Sequence, residues 1–144
     1  MIGYDIEVNT DIAAQGAFDR MAQVGFDALT EQEKTLASAW LFVGKVANGG
    51  FRVFFSSFAG DVAFYAPTAL KNIGAAKMAG IAAKANRVFG AEGPPRDRRA
   101  RRKLVRALPE AVVEELEVLE SLFYKCTDDV DELLEKYLKK AGSA

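Results

Sequence analysis

The chain has 144 residues, half of them hydrophobic and 27% charged, and a net charge of −1 at pH 7. This balance is typical of one globular domain and excludes a disordered chain. The absence of histidine excludes Ser-His and Cys-His catalytic pairs and removes the commonest zinc ligand. Cys126, the only cysteine, favours a reducing compartment, and we interpret it as a half-buried apolar side chain. Without a signal-peptide pattern or a run of ~20 apolar residues, we expect a cytoplasmic protein that does not contact membranes.

Apolar residues recur at helical spacing from the first predicted element onward. After an irregular N-terminus over residues 1–10, the pattern predicts a helix over 11–25 and a central helix over 31–48. Thr30 and Glu33 have the spacing of a capping box at the start of the second helix. The stripe of the first helix consists of Ile12, Phe18, Met21 and Val24.

The stretch VANGGFRVFFSSFAG, residues 46–60, combines a glycine pair with closely spaced phenylalanines. At i, i+3, i+4 and i+7, the rings fall on one side of a helix, and we expect all of them in the core; they are Phe51, Phe54, Phe55 and Phe58. Asn48, Gly49 and Gly50 then form the junction with the preceding helix, with Gly49 in the left-handed conformation. A ligand pocket walled by the rings is the alternative.

The second half of the chain continues with helices separated by glycine and proline. Gly60 and Asp61 end the phenylalanine helix, and Pro67 favours a start near Ala66 for the helix that follows. Residues 90–95, GAEGPP, are the clearest internal linker. The remaining helices are predicted over 62–73, 75–89, 96–107, 109–124 and 127–140, with a frayed end over 141–144. The sequence therefore predicts an all-α fold, a single compact domain of about six to eight helices over residues 1–144.

Residues 96–106, RDRRARRKLVR, carry seven bases and one acid. On a helix, one face collects the candidate anion-binding or partner-binding residues Arg98, Arg99, Arg102, Lys103 and Arg106. The opposite, apolar side is predicted to consist of Ala100, Leu104, Ala107 and Leu108. The bases can face solvent, pair with a glutamate stripe on the next helix, or bind an external polyanion.

Residues 107–144 have the opposite balance, ten acids against four bases. The candidate acidic partner face comprises Glu110, Glu114, Glu117, Asp128, Asp129, Asp131 and Glu135. The cluster TDDVDE at 127–132 lacks the alternation, glycine and terminal glutamate of a calcium loop. We interpret it as helix capping by Thr127 or Asp128, and predict no metal site.

Four short motifs carry a family resemblance: NGGF with the following aromatic pair and glycine (Asn48–Gly60), ALKNIGA (Ala69–Ala75), GPPRDR (Gly93–Arg98) and LESLFY (Leu119–Tyr124). With them the chain resembles a bacterial all-helical domain family of unknown function, related to the C-terminal domain of a DNA-mimic protein. The best-matching motif residues are Asn48, Gly49, Gly50 and Phe51. The resemblance implies a helical fold and, in the mimic, carboxylates that take the place of DNA phosphates.

Three functions are compatible with these patterns. The leading hypothesis is a non-enzymatic interaction or regulatory module, which binds another protein through its acidic C-terminal helices or its arginine-rich helix. The second is nucleic-acid or anion binding through the arginine-rich helix. The third, a carboxylate-dependent enzyme, is the least favoured, because no catalytic constellation is present. We expect no cofactor, and the oligomeric state stays open.

Overall fold

The computed structural model describes residues 9–142, in which seven α-helices and three short 3-10 helices form one compact domain without any strand. The α-helices are α1 (Thr10–Val24), α2 (Glu31–Ser56), α3 (Ala66–Asn72), α4 (Ala76–Asn86), α5 (Arg98–Arg106), α6 (Glu110–Lys125) and α7 (Val130–Gly142). The predicted all-α class and number of helices are confirmed. Of the predicted irregular ends, residues 1–8 and 143–144 lie outside the described residues, whereas Thr10 and residues 141–142 are helical. None of the helices within residues 9–142 combines the length and hydropathy needed to cross a bilayer.

Helix α2 is the centre of the domain, and α1, α3, α5, α6 and α7 all pack against it. Its capping box is formed as predicted, with Thr30 and Glu33 each accepting a hydrogen bond from the other's backbone N–H. Phe51, Phe54 and Phe55 are fully buried. Phe51 and Phe54 each contact both Phe42 and Phe55, at centroid distances of 5.2 to 6.1 Å. Burying each ring contributes about 1.5–3 kcal/mol. These three rings therefore belong to the core and not to a ligand pocket.

Phe58 departs from the predicted core position. The helix ends at Ser56, and Ser57 accepts a hydrogen bond from the Ala59 N–H at the start of a 3-10 helix. This change of period turns Phe58 outward, where 39% of the residue is exposed and its ring contacts Phe18. The spacing of Phe51 and Phe58 predicts the same side for both rings only if one helix continues to Gly60, and α2 ends before it.

The glycine junction is also displaced by one residue from its predicted place. Gly50, and not Gly49, has the positive φ of 80°, and α2 bends there without ending. An added Cβ at Gly50 would lie against the carboxylate of Glu120 on α6, so both the backbone angle and the neighbouring helix favour glycine.

The stripe predicted for α1 is only partly correct. Phe18 and Met21 are half-buried, but Ile12 is 69% exposed and Val24 is also exposed. The residues buried against α2 are Ala14 and Ala17. Small side chains let two helices approach closely, and a search for large apolar residues passes over that contact.

After α4, a non-helical connection over residues 90–97 contains the predicted linker and returns the chain to α2. Gly90 and Gly93 both have positive φ there, with values of 96° and 75°. Asp97 ends the connection as the N-cap of α5, accepting from the Ala100 N–H at 2.8 Å.

Candidate interaction surfaces

Arg101 holds α5 in place, and sequence reasoning missed it among the other bases of that helix. Its side chain has no exposed surface. A guanidinium has five N–H donors, and here all of them find an acceptor. The acceptors are the carbonyls of Phe55 (2.5 Å), Ser57 (2.9 Å), Pro95 (3.0 Å) and Arg96 (3.2 Å) and the Oδ1 atom of Asp61 (2.7 Å). A buried cation is stable only with such complete bonding.

Two arginines of α5 also complete the C-terminus of α2. Because α2 ends at Ser56, its last carbonyls have no helical N–H donor and carry partial negative charge. Arg101 Nε donates to the Phe55 carbonyl at 2.5 Å, and Arg102 Nε donates to the Ser56 carbonyl at 2.6 Å. The arginine-rich helix is therefore positioned by the backbone of α2.

This arrangement corrects the predicted apolar side of α5. Arg101 and Val105 are the buried residues of the helix, whereas Ala100, Leu104 and Ala107 are exposed and Leu108 is half-buried. The hydropathy pattern failed because the most hydrophilic residue type occupies the innermost position, where unpaired carbonyls require donors.

Asp61 is the carboxylate at this junction, and it binds Arg98 as well as Arg101. Arg98 donates to it from Nη2 at 2.7 Å and from Nε at 3.2 Å. Burial would raise the pKa of Asp61, but the hydrogen bonds and positive charges of the two arginines outweigh burial, and the pKa lies below its ordinary value. Arg98, a predicted partner-binding residue, is thus engaged in an intramolecular ion pair although its side chain is partly exposed.

The other predicted bases of α5 face solvent. Among the described residues, Arg99, Lys103 and Arg106 form no ion pair or hydrogen bond, and Arg102 is bonded only through Nε. The hypothesis that α5 is neutralised by Glu110, Glu114 and Glu117 is wrong in this part of the chain, because no ion pair joins the two sets. Helix α6 packs on α2 and α4 through Leu116, Leu119 and Phe123, which leaves these glutamates exposed.

A shallow groove between α2 and α5 extends this basic surface. Lys45 and Arg52 of α2 line it together with Arg102 and Arg106. Its remaining lining residues are Val53, Ser56, Ser57, Val105, Leu108 and Val113. Lys45 and Arg52 lie about fifty residues before α5 in the sequence, and no local pattern could have joined them to it.

Two of the predicted acidic partner residues cap helices. Asp128 Oδ2 accepts from the Met78 N–H at the start of α4, at 2.9 Å. Asp129 Oδ1 accepts from the Glu132 N–H in the first turn of α7, at 3.1 Å. The N-cap of α7 is therefore Asp129, and the prediction of Thr127 or Asp128 is wrong, because Asp128 caps a different helix.

The remaining acids fall into two groups. Glu110, Glu114 and Glu117 lie exposed along α6. A separate acidic hollow between α1 and α7 is lined by Asn9, Thr10, Asp11, Asp129, Asp131, Glu132 and Glu135. Ion pairs join Glu132 to Lys136 and Glu135 to Lys139. Among residues 9–142, no group of three or more acidic or cysteine side chains is arranged to hold a metal ion.

Two of the short sequence motifs meet at the bend of α2. In an unbroken helix, the Phe51 N–H would donate to the Ala47 carbonyl. Here the Phe51 N–H donates to Glu120 Oε1 at 2.8 Å, and the Tyr124 hydroxyl donates to the Ala47 carbonyl at 2.7 Å. The NGGF and LESLFY motifs are thus two sides of one structural junction.

The side chain of Asn48 has a different position from the rest of its motif. It is exposed and lines a groove that also contains Trp40 and Gly44 of α2 and Leu134 of α7. The structure therefore assigns Gly50 and Phe51 to the fold and leaves Asn48 on the surface.

These features define a small all-helical domain with separate basic and acidic surfaces. A family model described as DMP19-like protein matches residues 27–141. The chain therefore belongs to the DMP19-like protein family. Comparisons with curated proteins and with solved structures gave no significant match.

Proposed function

We propose that this protein is a non-enzymatic interaction module that binds an acidic partner protein through the basic surface of α5. The observation that carries the proposal is the state of Arg99, Lys103 and Arg106. All three are exposed, and within the described part of the chain none has an anionic partner.

The spacing of these bases favours an external anion. Arg99, Lys103 and Arg106 follow each other at i, i+4 and i+7 and so lie on one side of the helix. Like charges at this spacing repel by a few tenths of a kcal/mol per pair, which a bound carboxylate relieves. Because Arg101 fixes α5, the charges are presented without ordering a mobile segment, and that lowers the entropic cost of binding.

The two carboxyl groups whose pKa values are shifted offer no candidate for a general acid. The backbone N–H of Thr30 lowers the pKa of Glu33, and the pKa of Asp61 is lowered by its arginines against the effect of burial. A general acid working near neutral pH needs a carboxyl group with a raised pKa. Both shifts run the other way.

Affinity capture with a charge-reversed control tests the proposal. The tagged protein is incubated with native lysate, with and without nuclease treatment, beside a variant carrying Arg99→Glu, Lys103→Glu and Arg106→Glu. We expect one or more acidic proteins that bind only the wild type and elute between about 150 and 500 mM salt. Equal capture by both proteins, or capture that disappears on nuclease treatment, would contradict the proposal; the second result would favour nucleic-acid binding by the arginine-rich helix.

The acidic hollow favours a second candidate, a role as a DNA mimic that occupies a DNA-binding protein. Its support is the collection of five carboxylates from α1 and α7 and the membership of the DMP19-like family. A mimic must replace phosphate charges on its partner. We therefore expect its partners to be released by duplex DNA, and the variant Asp131→Asn with Glu132→Gln to capture less of them. Retention of every captured protein in excess DNA would exclude this candidate.

A further inference from the structure

The groove between α2 and α5 combines four cations with an apolar floor. Lys45 and Arg52 lie on the α2 side, and Arg102 and Arg106 lie on the α5 side. We infer that this groove is the docking site for an acidic amphipathic helix of the partner protein. This inference rests on the proposed function and specifies where, and in what form, the acidic partner binds.

The charges of the groove are not balanced by its own lining. No carboxylate is among the residues that line it. The acidic residue closest in sequence to Ser56 and Ser57 is Asp61, and its carboxylate is already bonded to Arg98 and Arg101. Arg52 and Arg106 are exposed and form no ion pair or hydrogen bond among the described residues. A ligand that enters this groove must therefore bring negative charge.

The apolar floor distinguishes between anionic ligands. Val53, which is 46% exposed, lines the groove together with the apolar side chains of Val105, Leu108 and Val113. The backbone of a duplex exposes charged phosphates and only the small C–H surface of its sugars, which is little apolar area to cover such a floor. Single-stranded nucleic acid stacks its bases on aromatic rings, and no aromatic residue lines the groove. A ligand that presents carboxylates beside aliphatic side chains fits both parts of the lining.

A helix presents this combination at the spacing of the cations. Arg102 and Arg106 are one turn apart, about 6 Å along α5. Glutamates at i and i+4 of a docked helix have the same separation, and leucines at i+3 and i+7 lie on the adjacent side. Helix-in-groove docking of this kind uses the apolar side chains for affinity and the charges for orientation.

Fluorescence anisotropy with synthetic peptides tests the inference on the full chain. The probe is a labelled peptide of about 18 residues that carries glutamates at i and i+4 and leucines at i+3 and i+7, so that each type lies along one side of the helix. The comparison probes are a peptide of the same composition in scrambled order, an oligoglutamate of the same charge, a single-stranded oligonucleotide and a duplex. We expect the amphipathic peptide to bind with a Kd on the order of 10–100 μM at low salt, and at least about tenfold more tightly than the scrambled peptide or the oligoglutamate.

Variants then locate the site. We expect Arg52→Glu and Arg106→Glu each to weaken the amphipathic peptide about tenfold, and Val53→Ser to weaken it about fivefold without changing the charge. Lys84→Glu, an exposed charge reversal on α4, is the matched control and should change the Kd less than about twofold. The three groove residues are exposed, and within residues 9–142 Arg52 and Arg106 form no ion pair or hydrogen bond, so circular dichroism should show native helix content in each variant.

The outcomes separate this inference from the proposed function. If all acidic peptides bind equally and Val53→Ser has no effect, the groove inference is overturned and the basic surface stands. If no peptide binds and Arg99→Glu leaves capture from the lysate unchanged, both are overturned. Tighter binding of either oligonucleotide than of the amphipathic peptide overturns the choice of a protein partner.

Discussion

Replacing Arg101 by methionine tests whether one buried cation fixes α5. Methionine has a similar length but no donor, so every bond of the guanidinium is lost. Because α2 ends at Ser56, the Phe55 carbonyl is left without a donor, at a cost of about 1–3 kcal/mol. Loss of the charged bond to Asp61 costs about 1.5–3 kcal/mol more. Allowing for entry of water, we expect a loss of about 3–5 kcal/mol, which is also the usual cost of removing one partner of a buried ion pair.

Urea denaturation followed by circular dichroism measures this loss. With a slope of about 1–3 kcal/mol per M, the midpoint should fall by roughly 2 M. Arg99→Met is the matched control, the same substitution on the same helix at an exposed position, and should change stability by less than about 0.5 kcal/mol. A loss below about 1 kcal/mol for Arg101→Met, or equal losses for the two variants, would refute the anchoring role of the buried guanidinium.

Three further predictions concern the core, the bend of α2 and pH. Gly50→Ala should destabilise the protein by about 2 kcal/mol, because the φ of Gly50 is 80°. Gly44→Ala lies inside the same helix with open space around it and should stabilise the protein by about 0.5–1 kcal/mol. Chemical denaturation that gives the same sign for both variants would contradict the bend. Phe54→Ala should cost about 3–5 kcal/mol, and Phe58→Ala, where 39% of the residue is already exposed, only about 1–2 kcal/mol; comparable melting temperatures for the two variants would speak against their assigned burial. The pKa of Asp61 is lower in the folded protein than in the unfolded chain. The stabilising effect of its carboxylate is therefore complete above the unfolded pKa of about 3.9 and disappears as the pH falls through the folded pKa. The difference in unfolding free energy between wild type and Asp61→Asn should shrink over that pH interval, and a constant difference would contradict the linkage.

Much of the helical fold was predictable from local patterns. The capping box at Thr30, the start of α3 near Pro67 and the burial of Phe51, Phe54 and Phe55 all follow from side-chain spacing or from a single residue's chemistry. One error occurs where an element ends. The predicted helix extends beyond Ser56, because the signal that stops it is a hydrogen bond that the Ser57 side chain accepts from the Ala59 N–H, and not a change in hydropathy.

The candidate surfaces were less predictable. The seven bases of residues 96–106 are visible in the sequence, but their separation into anchoring and exposed groups is not. Arg99 and Arg101 are the same residue type, and only the position of the α2 C-terminus decides which of them is buried. The same holds for Asp128, whose partner N–H belongs to Met78, fifty residues earlier.

Local patterns are enough to predict an all-helical domain with a basic segment and an acidic segment, because helix periodicity and charge composition are properties of neighbouring residues. Which charges stay exposed and unpaired among residues 9–142 depends on the folded arrangement of the helices. That choice depends on unpaired backbone groups, such as the last carbonyls of α2, and on the side chains that folding brings to them from distant parts of the chain. Such contacts hold Arg98 and Arg101. Arg106 instead lines a groove together with Arg52, which lies on another helix more than fifty residues earlier in the sequence.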